Sequence, residues 1–401
     1  MGDLPIRGPV MDHDLEVITE AGLLISDGKI LKKGSFDLLR KNASKSVFIE
    51  EIQQDLVAIP GLVDPHTHIC FYGSRAKDYA KRLEGISYQE IAAAGGGIWD
   101  TVSKTRAATY KQLLDNTSTR ATHMLQHGIT TAEIKSGYGL NLEDEIKMLR
   151  VINEAGNTLP IDLVPTCLAA HILPCDFNGS SLQYLDWIIS ELLPAVSKNR
   201  LAKRVDIFIE KEAFGEEEAT TFLKRALSMG FNLTVHADQF TTGGSRAAIT
   251  AGASSADHLE ASGEKEIQAL GNSQVTAIAL PGASLGLGTA FTPARKILDA
   301  GGALAIGSDW NPGSAPMGDL LTQAAILGAY EKLSMAETLA AITIRGAHAL
   351  NLADRGILTR DMIADVAAFP CSDFQEIMYH QGQMKPSTVW KKGEKITNNV
   401  S

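Results

Sequence analysis

The sequence predicts a (β/α)8 barrel, TIM-like in architecture, with a small β-sandwich domain assembled from both chain ends. Three observations predict it. Eight short apolar runs alternate with longer helical patterns through the middle of the 401-residue chain, the signature of β/α units around a parallel sheet. Both ends instead show short strand-like runs separated by tight turns. Histidines and aspartates stand at the ends of the apolar runs, where barrels of this kind place their active sites.

Taken in order, the first 58 residues offer Gly22-Leu-Leu-Ile-Ser26 and Val47-Phe-Ile-Glu50 as strands, with Ser26-Asp-Gly-Lys29 as a turn. The same texture returns in Ala364-Asp-Val-Ala-Ala-Phe369, Thr388-Val-Trp390 and the turn Lys392-Gly-Glu394. Residues 1–58 and 357–401 are therefore read as one composite β-rich domain, and 59–356 as the barrel. The barrel runs are Leu62 to Cys70, Thr130 to Ile134, Ile161 to Ala170, Val205 to Glu210, Asn232 to His236, Ser255 to Leu259, Val275 to Leu280 and Ala303 to Asp309. Helical patterns such as Leu142 to Ala155 and Glu216 to Met229 lie between them, the latter followed by Gly230 as a C-cap. The first crossover, from about 75 to 128, is too long for one helix, and Ala94-Gly-Gly-Gly97 within it reads as a loop near the barrel mouth.

Hydrophobic residues make up 44% and charged residues 21% of the chain, which excludes a disordered or membrane-embedded class. The net charge of −10 argues against nucleic acid as a partner, while a local arginine could still hold a small acidic ligand. Cys70, Cys167, Cys175 and Cys371 lack C-x-x-C spacing and read as buried thiols. No stretch has the length of a signal peptide or a membrane span, so a cytoplasmic protein with no membrane partner is expected.

The first run ends in Gly61-Leu-Val-Asp-Pro-His66-Thr-His68-Ile-Cys70. Alternate residues of a strand share a face, so His66 and His68 point into one cavity from a single strand end. An isolated pair of this kind reads equally well as two polar residues at a strand end. Five of the ten histidines stand at run ends, however, more than random placement would give. They are His66, His68, His171, His236 and His258, and Asp257 and Asp309 stand with them. Three imidazoles and a carboxylate suit a borderline cation such as Zn2+ or Fe2+, with a position left for water. His66, His68, His236 and Asp309 are the expected ligands of one divalent metal ion, which would bring the pKa of water down to about 7. His171 and His258 would then support the ligands or face substrate. Asp257 either orients His258 or points outward. His123 and His127, four apart on a helix leading into a strand, read as structural, and His13, His348 and His380 as surface or packing residues.

The strings Asp64-Pro-His-Thr-His68, Gly73-Ser-Arg75, Ala94-Gly-Gly-Gly-Ile98, Ile134-Lys-Ser-Gly-Tyr-Gly-Leu140, His236-Ala-Asp-Gln239, Ala256-Asp-His-Leu259, Leu280-Pro-Gly282 and Ser308-Asp-Trp-Asn-Pro-Gly-Ser314 resemble the amidohydrolase superfamily. Within it they resemble the imidazolonepropionase family, from about Ile59 to Leu350. The resemblance implies the same metal set, His66, His68, His236 and Asp309. It also implies an acidic small-molecule substrate, 4-imidazolone-5-propanoate, hydrolysed at its cyclic amide to N-formimidoyl-L-glutamate, and a homodimer. Arg75 matches the substrate-binding arginine, and a guanidinium there can pair bidentately with an anionic group. Tyr138, His171, Gln239, Asn311, Gly313 and Ser314 fall on substrate-contacting positions, with Tyr88 a further candidate. Asn311 to Ser314 would also form a tight turn without any ligand. Asp309 is the implied proton carrier and His258 the implied stabiliser of the oxyanion.

Two departures bear on the chemistry. Some members carry Glu where Gln239 stands in the catalytic set; an amide cannot act as general base, so that role passes to Asp309 or His258. Gly282-Ala-Ser-Leu-Gly-Leu-Gly288 is a glycine-rich loop where an aromatic stretch is expected. In related binuclear barrels a carbamylated lysine bridges two metals; Lys135 is read here as a salt-bridged lysine beside a single metal. Two alternatives stand beside this reading: a deaminase or hydrolase acting on another small cyclic amide, and a non-catalytic barrel scaffold, which loss of the metal ligands would mark.

Overall fold

The computed structural model describes residues 4–86, 90–91 and 95–396. Asp27 and Gly28 both take positive φ, 52° and 75°, and so turn Ala21–Ser26 (β1) back on Lys29–Ser35 (β2) as an antiparallel hairpin. The Val47 to Glu50 run does not form a strand. Its backbone pairs with no strand among the described residues, Glu50 reaches Lys395 only through its side chain at 2.8 Å, and Phe48 is 88% exposed. From the other end of the chain, Val366–Phe369 (β12), Thr388–Lys391 (β13) and Glu394–Ile396 (β14) join Val57–Pro60 (β3) in an antiparallel sheet ordered β14-β13-β12-β3. Ile30 and Val366 share a small core with Leu358 and Ala364, and Ile25 and Trp390 pack against it. The two chain ends therefore bury apolar surface against each other. The first described residues follow a different course: Leu4 and Val10 pack on Ala336 and Ala340, and Arg345 donates to the Gly8 carbonyl.

Between these segments run Leu62–Asp64 (β4), Ile129–Lys135 (β5), Asp162–Ala170 (β6), Arg204–Ile207 (β7), Asn232–Ala237 (β8), Ser255–His258 (β9), Thr276–Ala279 (β10) and Ala303–Ile306 (β11). Each pairs in parallel with the next, β4 through β11. Strands buried on both faces need near-continuous apolar sequence; β11 has it in full and β10 in all but Thr276. All eight expected runs are barrel strands. β4 is shorter than its apolar run because residues 66–68 turn to pair across the seam with the end of β11. The Asp309 amide donates to the His66 carbonyl and the His68 amide to the Trp310 carbonyl, each at 3.0 Å. Asp64 Oδ1 accepts the Ser308 amide across the same seam at 3.0 Å. The backbone that closes the barrel is thus the backbone that carries the expected metal ligands.

The glycine-rich stretch after β10 is not an open loop. Pro281–Leu287 is helical, with Pro281 at its first turn and Gly288 as a left-handed cap. Gly286 allows this helix to lie against the loop after β11, where any Cβ would collide with the Ser314 carbonyl. The long first crossover contains the helices Ala76–Leu83, Ile98–Ala107 and Tyr110–Gln126. Cys70, Cys167 and Cys371 are buried free thiols, but Cys175 is exposed, since it lies past the end of β6. Among the described residues no helix is long and apolar enough to cross a membrane.

Candidate metal centre

The residues singled out at strand ends converge at the mouth of the barrel. His66 and His68 enter from the end of β4, His236 from β8, and Asp309 from just past β11. His66 Nε2 and His236 Nε2 lie 3.2 and 3.3 Å from His68 Nε2. Asp309 Oδ1 is 3.5 Å from His66 Nε2 and 3.4 Å from His68 Nε2. Zinc bonds of about 2.0–2.1 Å set the ligand atoms of a tetrahedron about 3.3–3.4 Å apart, so these spacings suit one shared cation. Burial holds the His66 and His68 imidazoles well below their usual pKa, and His236 down to about 4, which keeps their nitrogen lone pairs available. Burial also pushes the Asp309 carboxyl up to about 6, an energetic cost that an adjacent cation would remove. The donor set fits a divalent metal.

Beneath these ligands lies a layer of buried charge. His66 Nδ1 donates to Asp257 Oδ2 at 2.6 Å, and His236 Nδ1 lies 2.9 Å from Asp206 Oδ2, off the straight line of a hydrogen bond. Each carboxylate fixes which ring nitrogen carries the proton, leaving Nε2 to face the cluster. Asp257 thus orients His66 rather than His258, because in β9 it points inward. Lys135 Nζ binds Asp206 at 2.7 Å, Glu133 at 2.8 Å and Asp257 at 3.4 Å. Burial opposes its charge, but these three carboxylates raise its pKa above the usual lysine value. Lys135 is therefore an ammonium in an ion-pair network, which Arg204 extends by donating to Glu133 at 3.1 Å.

This layer yields a testable result. Asp257→Asn keeps an oxygen for His66 Nδ1–H but removes the charge that makes the imidazole a stronger donor. Metal affinity is expected to fall by about 10–100-fold, as read by competition with a chromogenic chelator.

Around the cluster, His171 and His258 approach from two sides. The His171 ring is 5.6 Å from that of His68, and its Nδ1 donates to the Gly137 carbonyl at 3.0 Å. Burial brings His171 down to about 4, so Nε2 is an acceptor. His258 stands 5.4 Å from His236, ring to ring, with Nδ1 3.5 Å from Glu260. Burial works against its protonation, but Glu260 raises its pKa above the usual value. Tyr138 is buried with its ring 5.5 Å from His171. Its loop is fixed by Glu145, which accepts the amides of Gly137, Gly139 and Leu140 at 3.1, 2.8 and 2.9 Å.

The loop after β11 is held by its own side chain. Asn311 Oδ1 accepts the amides of Gly313 and Ser314 at 2.7 and 2.8 Å, and its Nδ2 donates to the Asp309 carbonyl at 2.7 Å. Ser314 Oγ donates weakly to Asp309 Oδ2 at 3.5 Å. Arg75 lies against Gly313. Gln239 is half-buried on the turn after β8, a turn that Asp238 pins by accepting the amides of Gly243 and Ser245. Tyr88 lies outside the described residues. The His123 and His127 rings pack at 4.0 Å with a 39° tilt, and the His127 Nδ1 donates to the His123 carbonyl, which accounts for the pair without a metal.

Sequence reasoning missed Glu133, Asp206, Glu145 and Glu260. Glu133 and Asp206 carried a signal, a carboxylate inside a run expected to be a buried barrel strand. Glu145 lies in the first turn of Leu142–Thr158, where acidic residues are common, so nothing in its spacing marked it.

Residues 57–396 match the amidohydrolase family model. A protein of Bdellovibrio bacteriovorus named imidazolonepropionase is 40% identical over 390 residues, covering 96% of this chain and 91% of that one. One of that name from Thermoanaerobacter pseudethanolicus is 38% identical, covering 98% of this chain and 94% of its own. Among solved structures, an adenosine deaminase from Xanthomonas campestris with bound zinc superposes with a TM-score of 0.71 at 19% identity, over 97% of this chain and 91% of that one. The 5-methylcytosine deaminase of Klebsiella pneumoniae gives a TM-score of 0.71 at 16% identity, over 94% of each chain. These two likenesses speak to the fold.

Proposed function

This chain belongs to the amidohydrolase family and, within it, to the imidazolonepropionases, hydrolases of histidine degradation; on that premise we propose that it opens the ring amide of 4-imidazolone-5-propanoate. The product is N-formimidoyl-L-glutamate. The observation that carries this reading is that His68 Nε2 lies 3.2 and 3.3 Å from the Nε2 atoms of His66 and His236, with Asp309 Oδ1 3.5 and 3.4 Å from His66 and His68. We assign His66, His68, His236 and Asp309 to one divalent cation, Zn2+ or Fe2+. When bound, the cation supplies Lewis acidity to water and to the ring carbonyl. The persistent ammonium of Lys135 supports a single ion, because a carbamate would need its neutral amine.

The remaining roles belong to the chain itself. Asp309 takes the proton of the attacking water and returns it to the ring nitrogen as the C–N bond breaks. His258, whose Nδ1 side faces Glu260, donates to the oxygen on which negative charge develops. Arg75 pairs with the propanoate carboxylate. His171 accepts and Tyr138 donates at the ring, and Gln239 binds the ring through its amide rather than acting as a base. Gly313 and Ser314 line the floor, and Asn311 fixes their shape. Tyr88 is proposed as a further substrate contact. A cytoplasmic homodimer, with a composite domain of 1–58 and 357–401 around a barrel at 59–356, completes the proposal.

Turnover in 18O-labelled water tests it. The expected result is loss of the ultraviolet absorbance of freshly generated 4-imidazolone-5-propanoate and formation of N-formimidoyl-L-glutamate with one labelled oxygen in its new carboxylate. Absorbance that does not change, or that falls without N-formimidoyl-L-glutamate being formed, would make the proposal fail; ammonia released from a cyclic compound that carries an exocyclic amine, with its ring left intact, would instead show a deaminase.

A further inference from the structure

The loop after the metal-binding strand turns into a helix at Arg75, which caps Ala76–Leu83 at its N-terminus. Three residues on, Asp78 lies on the same face of the first helical turn. Its Oδ2 accepts from Arg75 Nε at 3.0 Å and from the Gly97 amide at 2.9 Å. Both side chains are only 11% exposed. The other carboxylate oxygen fills the space where a Cβ on Gly96 would lie, at 2.6 Å. On the far side of the guanidinium, a Cβ on Gly313 would lie 2.5 Å from Arg75 Nη1, and Arg82 ties down the Gly313 carbonyl at 2.9 Å. Arg75 is therefore clamped between Asp78 at its Nε edge and the Gly313 backbone.

We propose that Asp78 is a positioning residue that fixes the Arg75 guanidinium so that its Nη1–Nη2 edge, the bidentate fork, meets the carboxylate of the substrate. This inference rests on the acidic-substrate reading and adds a residue to it. A guanidinium offers three hydrogen-bonding edges, and a free arginine samples many rotamers; taking the Nε edge selects one orientation before substrate arrives. Partial burial works against the Asp78 charge, but the Gly97 amide and Arg75 together hold its carboxyl below the usual aspartate range. Asp78 is thus an anion when substrate binds. The same oxygen accepts the Gly97 amide and Arg75 Nε, so it ties the start of Ile98–Ala107 to the carboxylate anchor.

A double-mutant cycle on the metal-loaded enzyme, with 4-imidazolone-5-propanoate as probe, tests the inference. Asp78→Ala is expected to raise KM about tenfold with kcat within about twofold of wild type, and Asp78→Asn, which keeps one acceptor oxygen, to raise KM by less. In an Arg75→Ala background, Asp78→Ala is expected to change KM by less than about twofold, because the group it positions is gone. An equal rise in KM in both backgrounds, or no rise in wild type from either Asp78 variant, would overturn the positioning role and leave the acidic-substrate reading intact. If Arg75→Ala itself left KM unchanged, carboxylate recognition and the inference would both fall.

Discussion

Replacing His236 with alanine is expected to abolish metal retention and turnover together while leaving the barrel folded. His236 Nε2 is one of the three nitrogens facing the shared centre, and its Nδ1 is committed to Asp206. Truncation removes one of four donor atoms and leaves the Asp206 carboxylate without its imidazole, so the weakened site is expected to lose its ion on dialysis against a chelator. Losing the ion removes several kcal/mol of transition-state stabilisation, so kcat should fall on the order of a thousandfold or more. The rings of His66, His68, His171, Phe208 and His258 lie 4.6–6.0 Å from that of His236, but β8 is held by its backbone pairing with β7 and β9, so far-ultraviolet circular dichroism should stay unchanged. Metal analysis and single-turnover assay of the variant check this. A variant that retained stoichiometric metal but lost turnover would move His236 from ligand to proton transfer.

Lys135→Ala is expected to have the largest effect on stability. The Lys135 ammonium is fully buried and faces Glu133, Asp206 and Asp257. Removing it leaves Arg204, on Glu133, as the remaining buried cation of this layer. Breaking a buried ion pair by deleting one partner costs about 3–5 kcal/mol, chiefly through the charge left uncompensated. The sign with pH follows from the carboxylates. Burial already pushes Asp257 up to about 7, and loss of the ammonium raises it further. A group with a raised folded-state pKa favours the folded state at low pH and loses that contribution as pH rises through its folded value. The deficit of Lys135→Ala in urea unfolding should therefore be smaller near pH 5 than near pH 8. A pH-independent deficit would point to a cavity instead.

Much of the barrel could be read from the sequence because each strand is a short apolar run bounded by a helix of clear period. Ile129–Lys135 and Asn232–Ala237 fall within one residue of their runs. Leu62 to Cys70 overran its strand because residues 66–68 leave β4 to pair with the end of β11, a tertiary contact that local composition does not mark. Val47 to Glu50 has strand composition but no neighbour to pair with, and pairing is a tertiary property. The glycine-rich stretch after β10 reads as a loop but is helical, because Gly286 serves close approach to Ser314 and Gly282 to Gln323, contacts far away in sequence. The expected ligands were legible because strand ends converge by topology. The carboxylates beneath them were harder to read, since a buried Asp or Glu looks like a surface one until its partner is known.

One measurement bears most directly on the claim that His66, His68, His236 and Asp309 hold a single essential ion. The metal-free protein, prepared by chelation, is titrated with Zn2+ or Fe2+ while hydrolysis of 4-imidazolone-5-propanoate is followed. Activity absent at the start and restored in full by one equivalent is the expected result. Full activity without metal, or a rise that ends only at two equivalents, would contradict it.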